Sequence, residues 1–300
     1  MFYGLLRFQR FLESLYQAFV SLIRVLLRFR FRNGLRRIEP VGDELFILAN
    51  GPSLKQDLEE FPGLFLNRRL LCVNQFVLSD EFERLRPQLY LFLDIWFFRE
   101  NSIPRVAEVT RKVIDAFIAK TTWPLTIMIP AEGRNSRFCR EIQASGIPVT
   151  FACFNRTRVD GWKPVRHCLY RRQAGMPPPQ NVLIGTLMAA ITIGYKKIIV
   201  VGADHSWHQG LELGMDGILN SAENHFYDKQ PWKVAYQHAE TRELITVSEF
   251  FHELYRTFGS HQLIRKFADS KGVTVINASR ITFIDAFERR ALEGYPWEER

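Results

Sequence analysis

Asn50, Asn74, Gln75, Asp94 and Asp204 each stand where an apolar run of this chain stops, and Asn277 and Ser279 end a further run in the same way. Such side chains offer donors and acceptors to a ribose, a base or a phosphate without demanding net charge. The first of them opens the stretch "NGPSLKQ", residues 50 to 56. Gly51 lets the backbone turn and approach a ligand closely, and Pro52 presets φ for a first helical turn. Ser53 and Gln56 have the Ser-x-x-Gln spacing of a capping box. Helix amides left free at such a start point toward an anion. The stretch is neither Gly-x-Gly-x-x-Gly nor a Walker sequence, so neither a dinucleotide enzyme nor a P-loop NTPase is indicated.

A second constellation, "VVGADHSWHQG", places Asp204, His205 and His208 within five residues of one another at the end of a buried run. Three such groups could ligate a metal, but the spacing is irregular and no His-Glu-x-x-His or paired Cys-x-x-Cys supports it. No metal is expected, and the chain contains no Asp-x-Asp, the usual metal handle for sugar-nucleotide diphosphates. The third constellation is "ENHFYD". His225, between Asn224 and Tyr227 in a polar loop, is suited to be a general base near neutral pH, although a bare histidine there is more often solvated. His252 and His261 fall on a long helical pattern and read as surface or packing residues.

These residues need elements to position them. Apolar runs such as "ELFILAN", "RLLCVNQF", "QLYLFLD", "LTIMIP", "PVTFACF", "KKIIVVGAD" and "GVTVINAS" alternate with helical patterns, the signature of a parallel sheet. Helices are predicted over 53–60, 104–120, 182–193 closed by Gly194, and 248–270 closed by Gly272. The fold class that follows is α/β: a Rossmann-like, doubly wound, mainly parallel sheet spanning 41–300. In such sheets ligands bind at the carboxyl ends of the strands, where the polar residues stand. Residues 155–181 and a lid around 205–240 read as long irregular loops of the kind that cover binding sites.

The net charge of +8 is unevenly placed. Residues 1–40 hold eight arginines against Glu13 and Glu39, a net of +6, so the body is nearly neutral and nucleic acid is not the expected partner. Within that segment the longest uncharged stretch is 14–23, too short to span a bilayer, and no cleavage site marks a signal peptide. An amphipathic helix lying on an anionic membrane surface fits better, which puts the protein peripherally on the cytoplasmic face of an inner membrane. The alternatives are an ordinary helix packed on the body or part of a homo-oligomer interface. The four cysteines, at 72, 139, 153 and 168, show no metal or disulfide spacing and suit reduced thiols.

Taken together, "ANGPSLK", "VNQF", "LYLFLDIWFF", "NVLIGTLMAAITIGYKKIIVVGADHSW" and "HFYD" occur in an order that resembles the bacterial CMP-sialic acid transferases of glycosyltransferase family 42. The order more closely resembles polysaccharide-biosynthesis proteins that share a domain of unknown function, number 115, with 6-hydroxymethylpterin pyrophosphokinases. The likeness runs over about residues 44–285.

The resemblance implies a GT-A-like variant of the Rossmann fold and an inverting, metal-independent transfer from a CMP-sugar donor, with no cofactor, to a glycan or glycolipid acceptor. By position, Asn50, Gly51, Pro52 and Ser53 would contact the CMP phosphate and ribose. Asn74 and Gln75 would lie beside the cytidine or sugar, and Asp94 stands where that family has an asparagine. Gly185 and Asp204 match family positions, and His225 lies in the region that supplies the base. Ser206 replaces a tyrosine that stabilises the leaving phosphate, a task Tyr227 or His205 could take over. A Kdo-like donor is as compatible with these departures as a sialic acid. The pyrophosphokinase branch implies instead ATP and Mg²⁺ held by Asp94 and Asp204, and a non-catalytic nucleotide- or glycan-binding scaffold would use the same strand ends.

Overall fold

The structure, a computed structural model, describes residues 2–29, 34–99, 104–223, 232–235, 237 and 243–297. Its framework is one eight-stranded sheet in which every pairing is parallel. Strand β1 (Glu44–Leu48) lies inside it. The chain moves outward through β2 (Leu70–Val73), β3 (Leu89–Leu91), β4 (Leu125–Pro130) and β5 (Val149–Phe154). It then returns to the other side of β1 and lays down β6 (Lys197–Val201), with β10 (Thr274–Asn277) and the short β11 (Glu288–Arg289) beyond. The strand order reverses between β1 and β6, and a crevice opens at such a switch point.

Burial on both faces explains the continuous apolar runs. Along β1, Leu45 and Ile47 enter one core while Phe46 and Leu48 enter the other. The first core is filled by α7 (Val182–Ile193) and α8 (Val247–Asp269), the second by α2 (Ser53–Glu60), the short α3 (Glu81–Leu85), α4 (Pro104–Lys120) and α5 (Arg137–Ala144). Helix α7 is apolar on all sides, so it can only be a core helix. Gly194 closes it at φ +114 and Asn181 caps its start. A capping box of Thr246 and Glu249 opens α8.

Both expected loops contain more structure than their sequences suggest. Residues 155–181 include α6 (Lys163–Arg171), whose polar sequence hides its buried Leu169 and Tyr170. The segment after β6 forms a separate antiparallel sheet of β7 (Leu211–Leu213), β8 (Leu219–Glu223) and β9 (Trp232–Ala235), too short to show alternation clearly.

The N-terminal segment does form a helix, α1 (Phe2–Arg28). It docks by a narrow stripe. The Ser21 hydroxyl accepts the Asp160 N–H at 2.9 Å, the Ser14 carbonyl accepts the Trp162 N–H at 3.0 Å, and Ala18 and Val25 are buried. Gly161, at φ +88, makes the approach close: a Cβ there would lie 2.3 Å from the Ala18 nitrogen. Among the described residues no helix is long and apolar enough to cross a membrane.

Candidate functional site

A cleft of about 300 Å³ opens at the switch point. Its walls come from the ends of β1 (Asn50, Gly51, Pro52), β2 (Asn74), β3 (Asp94) and β6 (Gly202 to Trp207), and from the start of α7 (Gln180 to Leu183). Eight of the expected site residues, Asn50, Gly51, Pro52, Asn74, Asp94, Asp204, His205 and Ser206, therefore meet around one space. A larger groove of about 1000 Å³, lined by Arg37, Arg69, Arg134 and Arg140, shares no residue with it.

Asp204 organises the centre. Its Oδ2 accepts the Ser53 N–H at 3.0 Å and its Oδ1 accepts the Ser53 hydroxyl, so a carboxylate from the end of β6 sits on the N-terminus of α2. A negative group is stabilised there by the amides and the helix dipole. Burial raises the Asp204 pKa and the two bonds from Ser53 work against that rise. The capping box expected of Ser53 and Gln56 is absent: Pro52 is the N-cap, Ser53 is already helical, and its hydroxyl is spent on Asp204. A capping box is a local pattern, and here a carboxylate 151 residues away outcompetes it. Ser53 is thus a brace within the protein rather than a group free for a ligand.

Gly51 also serves the protein. A Cβ at that position would lie 2.5 Å from both the Asp204 Oδ1 and the Gly202 carbonyl, and the Gly51 N–H donates to that carbonyl at 2.8 Å. Gly202, at φ +69, is pressed in turn against Leu54. Behind them the Ser279 hydroxyl accepts the Ala203 N–H at 2.8 Å, and the Asn277 side chain accepts the Ser279 N–H. These two strand-end residues therefore hold the β6 turn and do not reach the cleft.

The opposite wall is rich in acceptors that lack donors. Asn50 gives its amide to the Val73 carbonyl at 3.3 Å, which leaves its Oδ1 buried without a partner. The Oδ1 of Asn74 is likewise buried and unpartnered. Asn74 is held at φ +48, a left-handed conformation that asparagine tolerates better than most residues, and the Tyr90 hydroxyl donates to its carbonyl at 2.7 Å. Half-buried Asp94 completes this wall; burial raises its pKa and Arg156 partly offsets the rise. Buried polar atoms normally have partners, and both of these orphans belong to residues that line the cleft. No lysine or arginine is among the cleft's lining residues.

His205, at φ +52, completes the β6 side. Asn181 accepts the Ile184 N–H with its Oδ1, so the Asn181 group facing His205 Nε2 at 2.9 Å is the amide donor. His261 Nε2 lies 3.2 Å from the same nitrogen. An Nε2 that accepts from both leaves the proton of His205 on Nδ1. Burial, aided by the neighbouring His261, holds His205 well below the usual imidazole range, and burial pushes His261 down to about 3, so both rings are neutral at pH 7. His261, which the helical pattern suggested was a surface or packing residue, is fully buried and positions His205. Nothing in the local sequence of a long helix signals a partner 56 residues earlier.

Gln75 lies in the 3₁₀ turn after β2 and Gly185 one turn inside α7, against Leu93, and neither lines the space. His208 meets Phe283 edge-on, with ring centres 4.3 Å apart. His225 and Tyr227 lie outside the described residues.

Just behind Ser53, Asp57 is buried, with Oδ1 accepting from Arg280 Nε at 3.2 Å and Oδ2 unpartnered. Arg280 also pairs with Glu60. Burial outweighs Arg280, and the Asp57 pKa is pushed up to about 6.

No family model matches the sequence, and no curated protein matches it. Among solved structures the chain is similar to the MAf glycosyltransferase from Magnetospirillum magneticum AMB-1, with a TM-score of 0.50 and 11% identity over 90% of this chain. The chain spans 37% of the length of that protein. At this identity the likeness concerns the fold: a Rossmann-like α/β sheet arranged as in that glycosyltransferase.

Two predictions follow from the carboxylates. Asp204→Asn puts an amide where Ser53 needs an acceptor, and it should lower unfolding stability by about 1–3 kcal/mol in urea titrations. Asp57 binds its proton more tightly folded than unfolded, so the stability it contributes is complete below about pH 4 and is lost as pH rises through about 6. The melting temperature of Asp57→Asn minus that of the unsubstituted protein should therefore increase from about pH 4 to about pH 7; a constant difference would contradict the shift.

Proposed function

We propose that this chain is a glycosyltransferase that moves a sialic acid-like or Kdo-like sugar from a CMP-activated donor to a hydroxyl of a glycan or glycolipid. The observation that carries the reading is the acceptor-lined cleft at the switch point. Ribose hydroxyls and the cytosine amino group are donors, Asn50 Oδ1 and Asn74 Oδ1 lack donors, and Asp94 lines the same cleft. The glycosyltransferase fold of the structural neighbour and the motif order that resembles family 42 support the same assignment.

The placement of Asp204 moves the phosphate. With a carboxylate already seated on α2, a second anion there would be repelled, whereas α7 starts at the cleft wall with Val182 and Leu183 and has the Ile184 amide on its Asn181 cap. The departing CMP phosphate is assigned to α7 and to the protonated Nδ1 of neutral His205. In the reaction the acceptor oxygen attacks the anomeric carbon, His225 takes its proton, and the bond to the phosphate oxygen breaks with its electron pair leaving on CMP. The anomeric configuration inverts. An Asp94–Asp204 magnesium pair for ATP is disfavoured because Asp204 already spends both oxygens on Ser53.

CMP or CDP should raise the melting temperature more than ATP with Mg²⁺ does. Asn50→Ala should weaken CMP binding about tenfold, the effect of one lost hydrogen bond. His225→Ala should abolish release of CMP from a CMP-sugar while leaving CMP binding intact. A larger shift with ATP, or no shift with cytidine nucleotides, would overturn the reading; binding without any turnover would leave a scaffold in its place.

A further inference from the structure

Helix α1 is about 40 Å long at 1.5 Å per residue, and it meets the body along the stripe of Ser14, Ala18, Ser21 and Val25. Around the axis from that stripe, by about 140° at 100° per residue, Leu5, Phe8, Tyr16, Phe19, Leu26 and Leu27 form a continuous exposed band. Leu26 and Leu27 are 82% and 81% exposed. Contiguous exposed apolar surface of this kind marks a face that meets a partner or a membrane. Arg10, Arg24 and Arg28 lie together on one flank, and Arg7 is exposed near the docked side, with Glu13 as the one acid of the helix.

We propose that α1 binds the surface of an anionic lipid bilayer through this band. The charge pattern selects that occupant over a second copy of the chain. A second copy of the chain would bring the same excess of arginine over acid to the contact, whereas anionic lipid supplies the opposite charge. A bilayer instead takes the Leu and Phe side chains into the acyl boundary while arginines reach anionic head groups.

The docking site is connected to the cleft through one hydrogen-bonded run of chain. Asp160 and Gly161, which hold α1, follow directly on Thr157 and Val159, both hydrogen-bonded to Met176. Pro178, two residues on, accepts from Ser260 of α8, and Gln180 and Asn181 then line the cleft. A chain held on lipid by α1 therefore holds its cleft at a set height and orientation, which suits an acceptor anchored in the same leaflet. The lipid contact itself does not depend on what the cleft binds.

The test is flotation of the full chain with phosphatidylcholine vesicles and with vesicles containing about 30% phosphatidylglycerol. The unsubstituted protein should float with the anionic vesicles and be released as salt is raised. Phe8→Glu/Phe19→Glu/Leu26→Glu should reduce flotation at least tenfold while keeping the melting transition and the CMP-induced shift. Arg7→Gln/Arg10→Gln/Arg28→Gln, which leaves the apolar band intact, should lose the preference for anionic over neutral vesicles. No flotation of the full chain, unchanged flotation of the glutamate variant, or a dimer in light scattering that the glutamate variant converts to monomer would overturn the proposal.

Discussion

The seating of Asp204 on the start of α2 is the contact from which the rest of the cleft follows. It joins the end of β6 to the turn after β1 where the two halves of the sheet part. The carboxylate needs room, and this explains Gly51; the turn that carries it needs a left-handed residue, and this explains Gly202. Ser53 supplies both donors, Ser279 and Asn277 fasten the turn from behind, and Asp57 sits near enough to feel the same charge. With a carboxylate on the start of α2, the proposed site for the departing phosphate is the start of α7, which also lines the cleft.

The cleft's electrostatics follow from the same economy. Among the described residues its walls carry no lysine or arginine. The buried oxygens of Asn50 and Asn74 lack donors, and an unmatched buried acceptor costs free energy. The histidines fit this neutral environment: burial keeps both uncharged, and Asn181 and His261 fix which nitrogen of His205 keeps its proton. Positive charge is instead concentrated in the arginine groove and along α1.

Much of this was legible in the sequence because it is local. The apolar runs gave the strands of the parallel sheet, and the predicted helices 53–60, 104–120 and 182–193 coincide with α2, α4 and α7. Strand-end polarity located the cleft, since the switch-point rule converts a list of terminal residues into a place. The illegible parts are long-range. Ser53 reads as a cap until Asp204 is seen beside it, Gly51 reads as a ligand contact until the carboxylate fills the space, and His261 reads as packing until His205 is found against it. The β7–β9 sheet was hidden because three-residue and polar strands carry too little periodicity to register.

The central claim is that cytidine monophosphate lies across the ends of β1, β2 and β3 with its phosphate at the start of α7. A crystal structure with CMP tests it most directly. The account predicts CMP donors within hydrogen-bond distance of Asn50 Oδ1 and Asn74 Oδ1, phosphate oxygens at the Val182 and Leu183 amides, and the Asp204–Ser53 contact unchanged. CMP bound instead in the groove of Arg37, Arg69, Arg134 and Arg140, or phosphate displacing Asp204 from α2, would contradict it.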